Sequence, residues 1–165
     1  MALEHHFYMD TAASRHELRG VLIEAGLGFE AELEDWRVPG SAALGSGAFN
    51  EATLVSILDD LPPIYRRSRT GVTPTRRIGF RDRKRDPNRF DRDTTQGIVA
   101  LLRAYPQADA FWEGLGGVLM LVRRHGRLVL SEARTKPHEF WDPEARPFRR
   151  LVDLPHVVEP LGPGH

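Results

Sequence analysis

The strongest constraint on the fold is an amphipathic segment that begins at Asp86-Pro87 and ends at Pro106. Proline is favoured in the first turn of a helix and cannot continue one, so this segment has both a start and a stop. Its apolar and small residues recur at helical spacing: Phe90, Thr94, Gly97, Ile98, Leu101, Leu102 and Tyr105. A helix with a single apolar stripe has to cover another layer, which the rest of the chain must supply.

Short alternating segments predict that this other layer is a sheet. Apolar side chains alternate with polar ones or cluster over three to seven residues in segments 3–9, 29–34, 77–83, 108–112, 118–122 and 128–130. The last two segments flank a turn in which Gly126 can adopt a positive φ, and they therefore predict a hairpin. Segment 29–34 is expected to be a half-buried strand, with Leu33 on its buried face and glutamates on its outer face. In segment 77–83, Ile78 and Phe80 are expected to point towards the core.

A second helix is predicted over residues 15–25. Ser14 and Glu17 have the spacing of a capping box, and Gly26 suits the end of the helix. The glycine-rich stretch 38–49 predicts a loop, Asn50 is expected to cap a short helix that ends before Pro62, and the arginine-rich stretch 64–77 predicts an irregular segment. The whole pattern predicts an α+β fold, a mainly antiparallel sheet with two or three helices packed on one face.

The length and composition favour one globular domain over residues 1–160, with residues 161–165 as a frayed tail. The 165 residues are 41% hydrophobic and 28% charged, and no cysteine is present, which excludes disulfides and thiolate chemistry. The first residues lack the basic and apolar regions of a secretory signal, and no apolar run reaches the roughly 20 residues of a membrane span. We therefore expect a cytoplasmic protein with no membrane partner.

The formal net charge of zero hides two opposite blocks. Residues 1–61 hold eleven acidic side chains against three arginines, whereas residues 62–92 hold ten arginines and one lysine against three aspartates. Blocks of one charge sign influence which partners bind and how fast they associate, rather than the fold. The basic block predicts either nucleic-acid binding through segment 66–92 or pairing with the acidic block; a zero net charge and the absence of known nucleic-acid-binding signatures make nucleic acid the weaker interpretation.

No catalytic or metal-binding signature is found among the candidate residues. None of the seven histidines has zinc-site spacing, Ser46 is not in a nucleophile elbow, and no Lys-Ser or Lys-Thr follows the glycines near it. We therefore predict no catalytic residues, no metal site and no cofactor. A small enzyme of unknown type is the least favoured alternative.

Three segments resemble one family. They are the opening residues 1–10, the pairing of a strand (RRIGFR, ending at Arg81) with an Asp-Pro-started helix, and the segment from Asp109 into the hairpin around Gly126. In these segments, 1–10 and about 77–131, the chain resembles the immunity proteins of swarming-inhibition (Sit) toxin systems, third type. The resemblance implies a non-enzymatic protein that binds and neutralises a cognate polymorphic toxin.

Two surfaces are candidates for that partner. The acidic strand is the first, because carboxylates can mimic the phosphates that a basic nuclease toxin binds, and an aromatic residue beside them can anchor the contact. Its residues are Glu30, Glu32, Glu34, Asp35 and Trp36. The alternative, for an acidic toxin, is the basic patch Arg66, Arg67, Arg69 and Arg76.

Overall fold

A computed structural model describes residues 3–59, 61, 70–132 and 154–161. These residues contain two α-helices, α1 (Arg15–Glu24) and α2 (Pro87–Ala104), and a short 3-10 helix (Leu115–Gly117). The strands are β1 (Glu4–Met9), β2 (Ala31–Arg37), β3 (Leu44–Phe49), β4 (Thr53–Leu58), β5 (Arg76–Asp82), β6 (Ala110–Glu113), β7 (Leu119–Arg124), β8 (Arg127–Ser131) and β9 (Val157–Glu159).

The strands form one sheet in the order β2-β3-β4-β5-β1-β6-β7-β8-β9. Every neighbouring pair is antiparallel except β8 and β9, which run parallel. The predicted α+β fold with a mainly antiparallel sheet is confirmed. The strand β9 was not predicted, because its three residues lie in a proline-rich tail.

One face of the sheet packs against both helices. Leu18 and Leu22 of α1 and Phe90 and Ile98 of α2 share a buried core with alternate side chains of the central strands, among them Phe7, Met9, Val55, Ile78, Phe80 and Trp112. The inward direction predicted for Ile78 and Phe80 is confirmed. Gly97 allows this close packing, since a Cβ atom there would lie 3.0 Å from Leu22 Cδ2 and 3.0 Å from Phe80 Cε1.

Local chemistry explains why the predicted helix ends and hairpin are correct. Ser14 and Glu17 form the capping box of α1, and the Asp86 side chain accepts a hydrogen bond from the Arg89 N–H at the start of α2. Between β7 and β8, His125 has φ 50° and Gly126 has φ 77°. Two successive positive φ values are typical of the type I′ turn, whose twist matches that of the flanking strands.

The segment between β2 and β5 differs from the prediction. The end of the predicted loop 38–49 is strand β3, and the predicted short helix after Asn50 is strand β4. The Asn50 side-chain oxygen accepts the N–H groups of Ala52 and Thr53, so it closes a tight turn rather than capping a helix. An asparagine oxygen that accepts nearby backbone N–H groups can cap a helix or close a turn. Here the pairing of β4 with its neighbouring strands favours the turn.

Asp91 on α2 provides a test of how the helix packs. Burial raises the pKa of Asp91, and the nearby negative charge of Asp82 raises it further. A carboxyl group with a raised pKa binds its proton more tightly in the folded state, so stability falls as the pH rises through the folded-state pKa. We expect Asp91→Asn to raise the melting temperature at pH 7 and this gain to shrink below about pH 4. An increase in melting temperature that is equal at pH 7 and below about pH 4 would contradict a raised pKa for Asp91.

Candidate protein-binding edge

The acidic strand β2 lies at one end of the sheet. It pairs with β3 on one side, and within the described ranges no strand covers its other side. Six of its seven residues are exposed, and only Trp36 is half-buried. The prediction of a half-buried strand over 29–34 is therefore wrong in its boundaries and in its burial. Both faces of β2 reach solvent because the strand is the last of the sheet.

Two glycines of β3 leave space for the apolar side chains of the neighbouring strand β2. A Cβ atom at Gly45 would lie 2.3 Å from Trp36 Cε2, and one at Gly47 would lie 3.0 Å from Leu33 Cδ1. Only glycine leaves room for the indole against the sheet at Gly45. Leu33 nevertheless remains 40% exposed. The pair offers an apolar surface, held flat against the sheet, on the face opposite the helices.

Two carboxylates of β2 are fixed to α1. Asp35 lies 3.1 Å from Arg15, whose Nε atom also contacts Asp59 at 3.1 Å, and Glu32 lies 2.9 Å from Arg19. The carboxylates stay accessible, since the side chains of Asp35 and Glu32 are 64% and 58% exposed. Exposed pairs contribute little to stability, about 0–1 kcal/mol each. Their effect here is to orient two acidic groups at the rim of the sheet.

The other two acidic residues, Glu30 and Glu34, are exposed, and no ion pair in the described part of the chain engages either of them. The edge thus combines two oriented carboxylates, two carboxylates without an ionic partner and the adjacent Trp36. We call the residues Glu30, Glu32, Glu34, Asp35 and Trp36 the acidic edge. The structure therefore brings together all the residues of the first predicted surface.

The alternative basic patch is not assembled in the same way. Arg66, Arg67 and Arg69 lie outside the described residues, so only Arg76 can be placed. The Arg76 side chain donates hydrogen bonds to the carbonyl oxygens of Ala13 (2.9 Å) and Thr75 (3.0 Å). Arg76 thus connects β5 to the segment before α1, a structural role.

Other arginines of the basic block also have internal contacts. Arg83 donates to the carbonyl oxygen of Asn50 at 2.5 Å and stacks over the Phe49 ring at 4.5 Å. Two acidic residues of the first block pair with this block: Glu4 lies 3.7 Å from Arg77, and Glu51 lies 4.0 Å from Arg89. No such pair joins the acidic edge to residues 70–92, so in the described structure the two blocks neutralise each other only in part.

The sequence did not identify the residues that orient the acidic edge. Arg15 and Arg19 are four residues apart and therefore lie on one face of α1. Their spacing indicates a basic face on α1, but only the order of the strands shows that this face lies beside β2. Leu33 was predicted to be buried, and its exposure follows from the same edge position.

An open groove of about 640 Å³ lies between the two helices, lined by Val21, Glu24, Ala25, Gln96, Val99, Ala100, Arg103 and Ala104. The described residues contain no cluster of three or more histidine, aspartate or glutamate side chains suited to a metal ion. None of the helices in these residues is long and apolar enough to cross a membrane.

Comparisons with protein-family models, with curated proteins and with solved structures found no match to this chain.

Proposed function

We propose that this chain is an immunity protein that binds a cognate protein toxin and neutralises it without catalysis. The observation that supports the proposal best is the acidic edge, an exposed group of four carboxylates beside a partly buried tryptophan. Specific interfaces commonly place an aromatic anchor inside a polar rim, and charges complementary to those of the partner give specificity and fast association. The family resemblance of segments 1–10 and 77–131 favours the same function.

The charge of the edge indicates the kind of toxin. The four carboxylates of the acidic edge and Asp59 outnumber the three arginines near them, Arg15, Arg19 and Arg37, so an excess of negative charge remains. A basic surface would be attracted to it, and complementary charges increase the association rate by orders of magnitude at low salt. Toxins that cleave nucleic acids have such basic surfaces because their substrates are polyanions. We therefore propose a basic toxin, held where it would otherwise bind phosphates.

Nucleic-acid binding is the second candidate function. It is favoured by four exposed cations in the described part of the basic block, namely Arg81, Lys84, Arg85 and Arg92. Asp82, Asp86 and Asp91 lie between them and reduce the field. Filter binding with a single-stranded and a double-stranded oligonucleotide separates the two functions. Retention that falls steeply with salt would support nucleic-acid binding, and no retention at low salt would eliminate it.

The toxin proposal is tested by reversing charges in matched pairs. We expect the double variant Glu30→Lys, Glu34→Lys to slow association with the purified product of an adjacent toxin gene by about 10–100-fold at low salt, because attraction becomes repulsion. Neither glutamate has an ion-pair partner among the described residues, so the fold should tolerate the change. Surface plasmon resonance at two salt concentrations measures the rates.

The control is the double variant Arg81→Glu, Lys84→Glu, which changes the net charge by the same amount in the opposite direction. Both of these residues are exposed. The proposal expects this variant to bind the toxin at least as fast as the unmodified chain. Slow association of the control, or unchanged association of the Glu30→Lys, Glu34→Lys variant, would contradict a role for the acidic edge.

A further inference from the structure

The outer side of β2 exposes backbone groups as well as carboxylates. The N–H of Val38 donates to the carbonyl oxygen of Ala43 at 3.0 Å, and Trp36 and Arg37 pair with Gly45 and Leu44. In an antiparallel ladder, the backbone groups of alternate residues face the neighbouring strand. Because Val38 faces β3, the N–H and C=O groups of Arg37 face away from it, towards the open edge.

An open edge is a template for another strand, and proteins commonly protect such edges with charged side chains and bulges. β2 has both: its pairing register shifts between Leu33 and Trp36, and four acidic residues lie on or beside it. Two copies of β2 paired antiparallel would bring carboxylates close to carboxylates, which is unfavourable. The same charges that oppose self-association would favour a strand that carries lysines or arginines.

The opposite edge of the described sheet is less suited to this role. Strand β9 has only three residues, and its Glu159 is paired with Arg127 of β8. Its exposed residues, Val157 and Val158, are apolar and give no charge selection. Strand β2 has seven residues, and the four carboxylates on or beside it outnumber its one arginine, Arg37. Length and charge thus both favour β2 as the edge that receives a partner strand.

We propose that a basic, extended segment of the partner protein adds to the sheet at the outer edge of β2, through backbone hydrogen bonds that include those of Arg37. In this mode the main chain gives affinity and the alternating side chains give specificity. The inference rests on the proposed function for its partner, a basic protein toxin. It adds the mode of binding: strand addition at the acidic edge, rather than contact between side chains alone.

The probe is a nine-residue peptide of alternating lysine and threonine, added to the full-length chain labelled with ¹⁵N. At saturating peptide and low salt, we expect hydrogen exchange of the Arg37 amide to slow at least tenfold, because that N–H becomes hydrogen-bonded. A peptide of alternating glutamate and threonine should leave the rate unchanged. Absence of lysine-peptide binding, or binding that leaves the Arg37 amide unprotected, would overturn strand addition.

A backbone variant provides the second arm. Proline is tolerated on edge strands where the missing N–H would have faced outward, so Arg37→Pro removes the outward donor while its pairing with β3 needs no N–H at this position. The matched control Arg37→Ala removes the same side chain and keeps the N–H. We expect the proline variant to bind the lysine peptide at least tenfold more weakly than the alanine variant. Equal affinities would contradict strand addition.

The two proposals fail separately. If the unmodified chain and Arg37→Pro neutralise the toxin equally well, strand addition is wrong and the proposed function stands. If the lysine peptide protects the Arg37 amide but the chain neutralises no toxin, the edge pairing stands and the toxin proposal is wrong.

Discussion

Replacing Arg123 by alanine is expected to destabilise the protein by about 3–5 kcal/mol, a large part of the total stability of a domain of this size. Arg123 on β7 is only 5% exposed. Its guanidinium donates to the carbonyl oxygens of Ala108 (2.7 Å), Leu102 (2.7 Å) and Tyr105 (2.5 Å). Alanine would remove this donor from the carbonyl oxygens of Ala108 and Leu102, whereas that of Tyr105 would keep the Ala108 N–H (3.1 Å). Each buried acceptor left without a donor costs about 1–3 kcal/mol.

The position of Arg123 at the end of α2 explains why a cation is accepted there. Leu102 and Tyr105 belong to the last turn and the C-cap, where helix carbonyls have no intrahelical partner and the dipole is negative. Burial lowers the pKa of Arg123, and Asp109 acts in the opposite direction. The side chain thus joins α2 to the sheet through one charge and three hydrogen bonds.

Urea unfolding followed by circular dichroism measures the loss. The adjacent Arg124 has an exposed side chain, so Arg124→Ala is the matched control and should change the free energy of unfolding by less than about 1 kcal/mol. Arg123→Lys keeps the charge but cannot reach three divergent carbonyls in the same geometry, and an intermediate loss is expected. Equal losses in the Arg123→Ala and Arg124→Ala variants would show that the buried contacts do not stabilise the fold.

The second large effect is expected at Asp93, where alanine should cost about 2–4 kcal/mol. The Asp93 carboxylate is buried and accepts hydrogen bonds from the Asn50 side-chain amide (2.8 Å) and the Thr53 hydroxyl (3.1 Å). Hydrogen bonds to a charged group contribute about 1.5–3 kcal/mol each. They join α2 to the turn between β3 and β4, so their loss should loosen the sheet on the side that carries the acidic edge.

Asp91→Ala is the matched control, two residues earlier on the same helix. Because burial raises the pKa of Asp91, its charge is unfavourable, and removing it should not destabilise the protein at pH 7. A double-mutant cycle between Asp93→Ala and Asn50→Ala, measured by thermal unfolding, isolates the interaction. A coupling energy near zero would contradict a stabilising hydrogen bond between Asn50 and Asp93.

The sequence predicted the elements whose signals are local. The stripe on α2, its Asp86-Pro87 start and the His125-Gly126 turn each depend on a few neighbouring residues, and all three are confirmed. Strand β3 was not predicted because its glycines are typical of loops. They are part of a strand here because Trp36 lies directly over Gly45, a contact that no local pattern records.

The acidic edge could be predicted only as a set of residues. Alternation over 29–34 indicated a strand with an acidic face, but its place at the end of the sheet depends on which strands pair. The same holds for Arg15 and Arg19, whose helix packs where it can reach Asp35 and Glu32. Long-range pairing decides these contacts, and a single sequence contains little information about it.

The proposal that the chain neutralises a toxin is tested most directly by co-expression. A neighbouring gene chosen as the candidate toxin is induced in a susceptible host, with and without the unmodified chain, and surviving colonies are counted. The account predicts that survival is restored by the unmodified chain and lost again with the Glu30→Lys, Glu34→Lys variant, at equal soluble levels of both proteins. Continued cell death despite soluble, unmodified protein would contradict it.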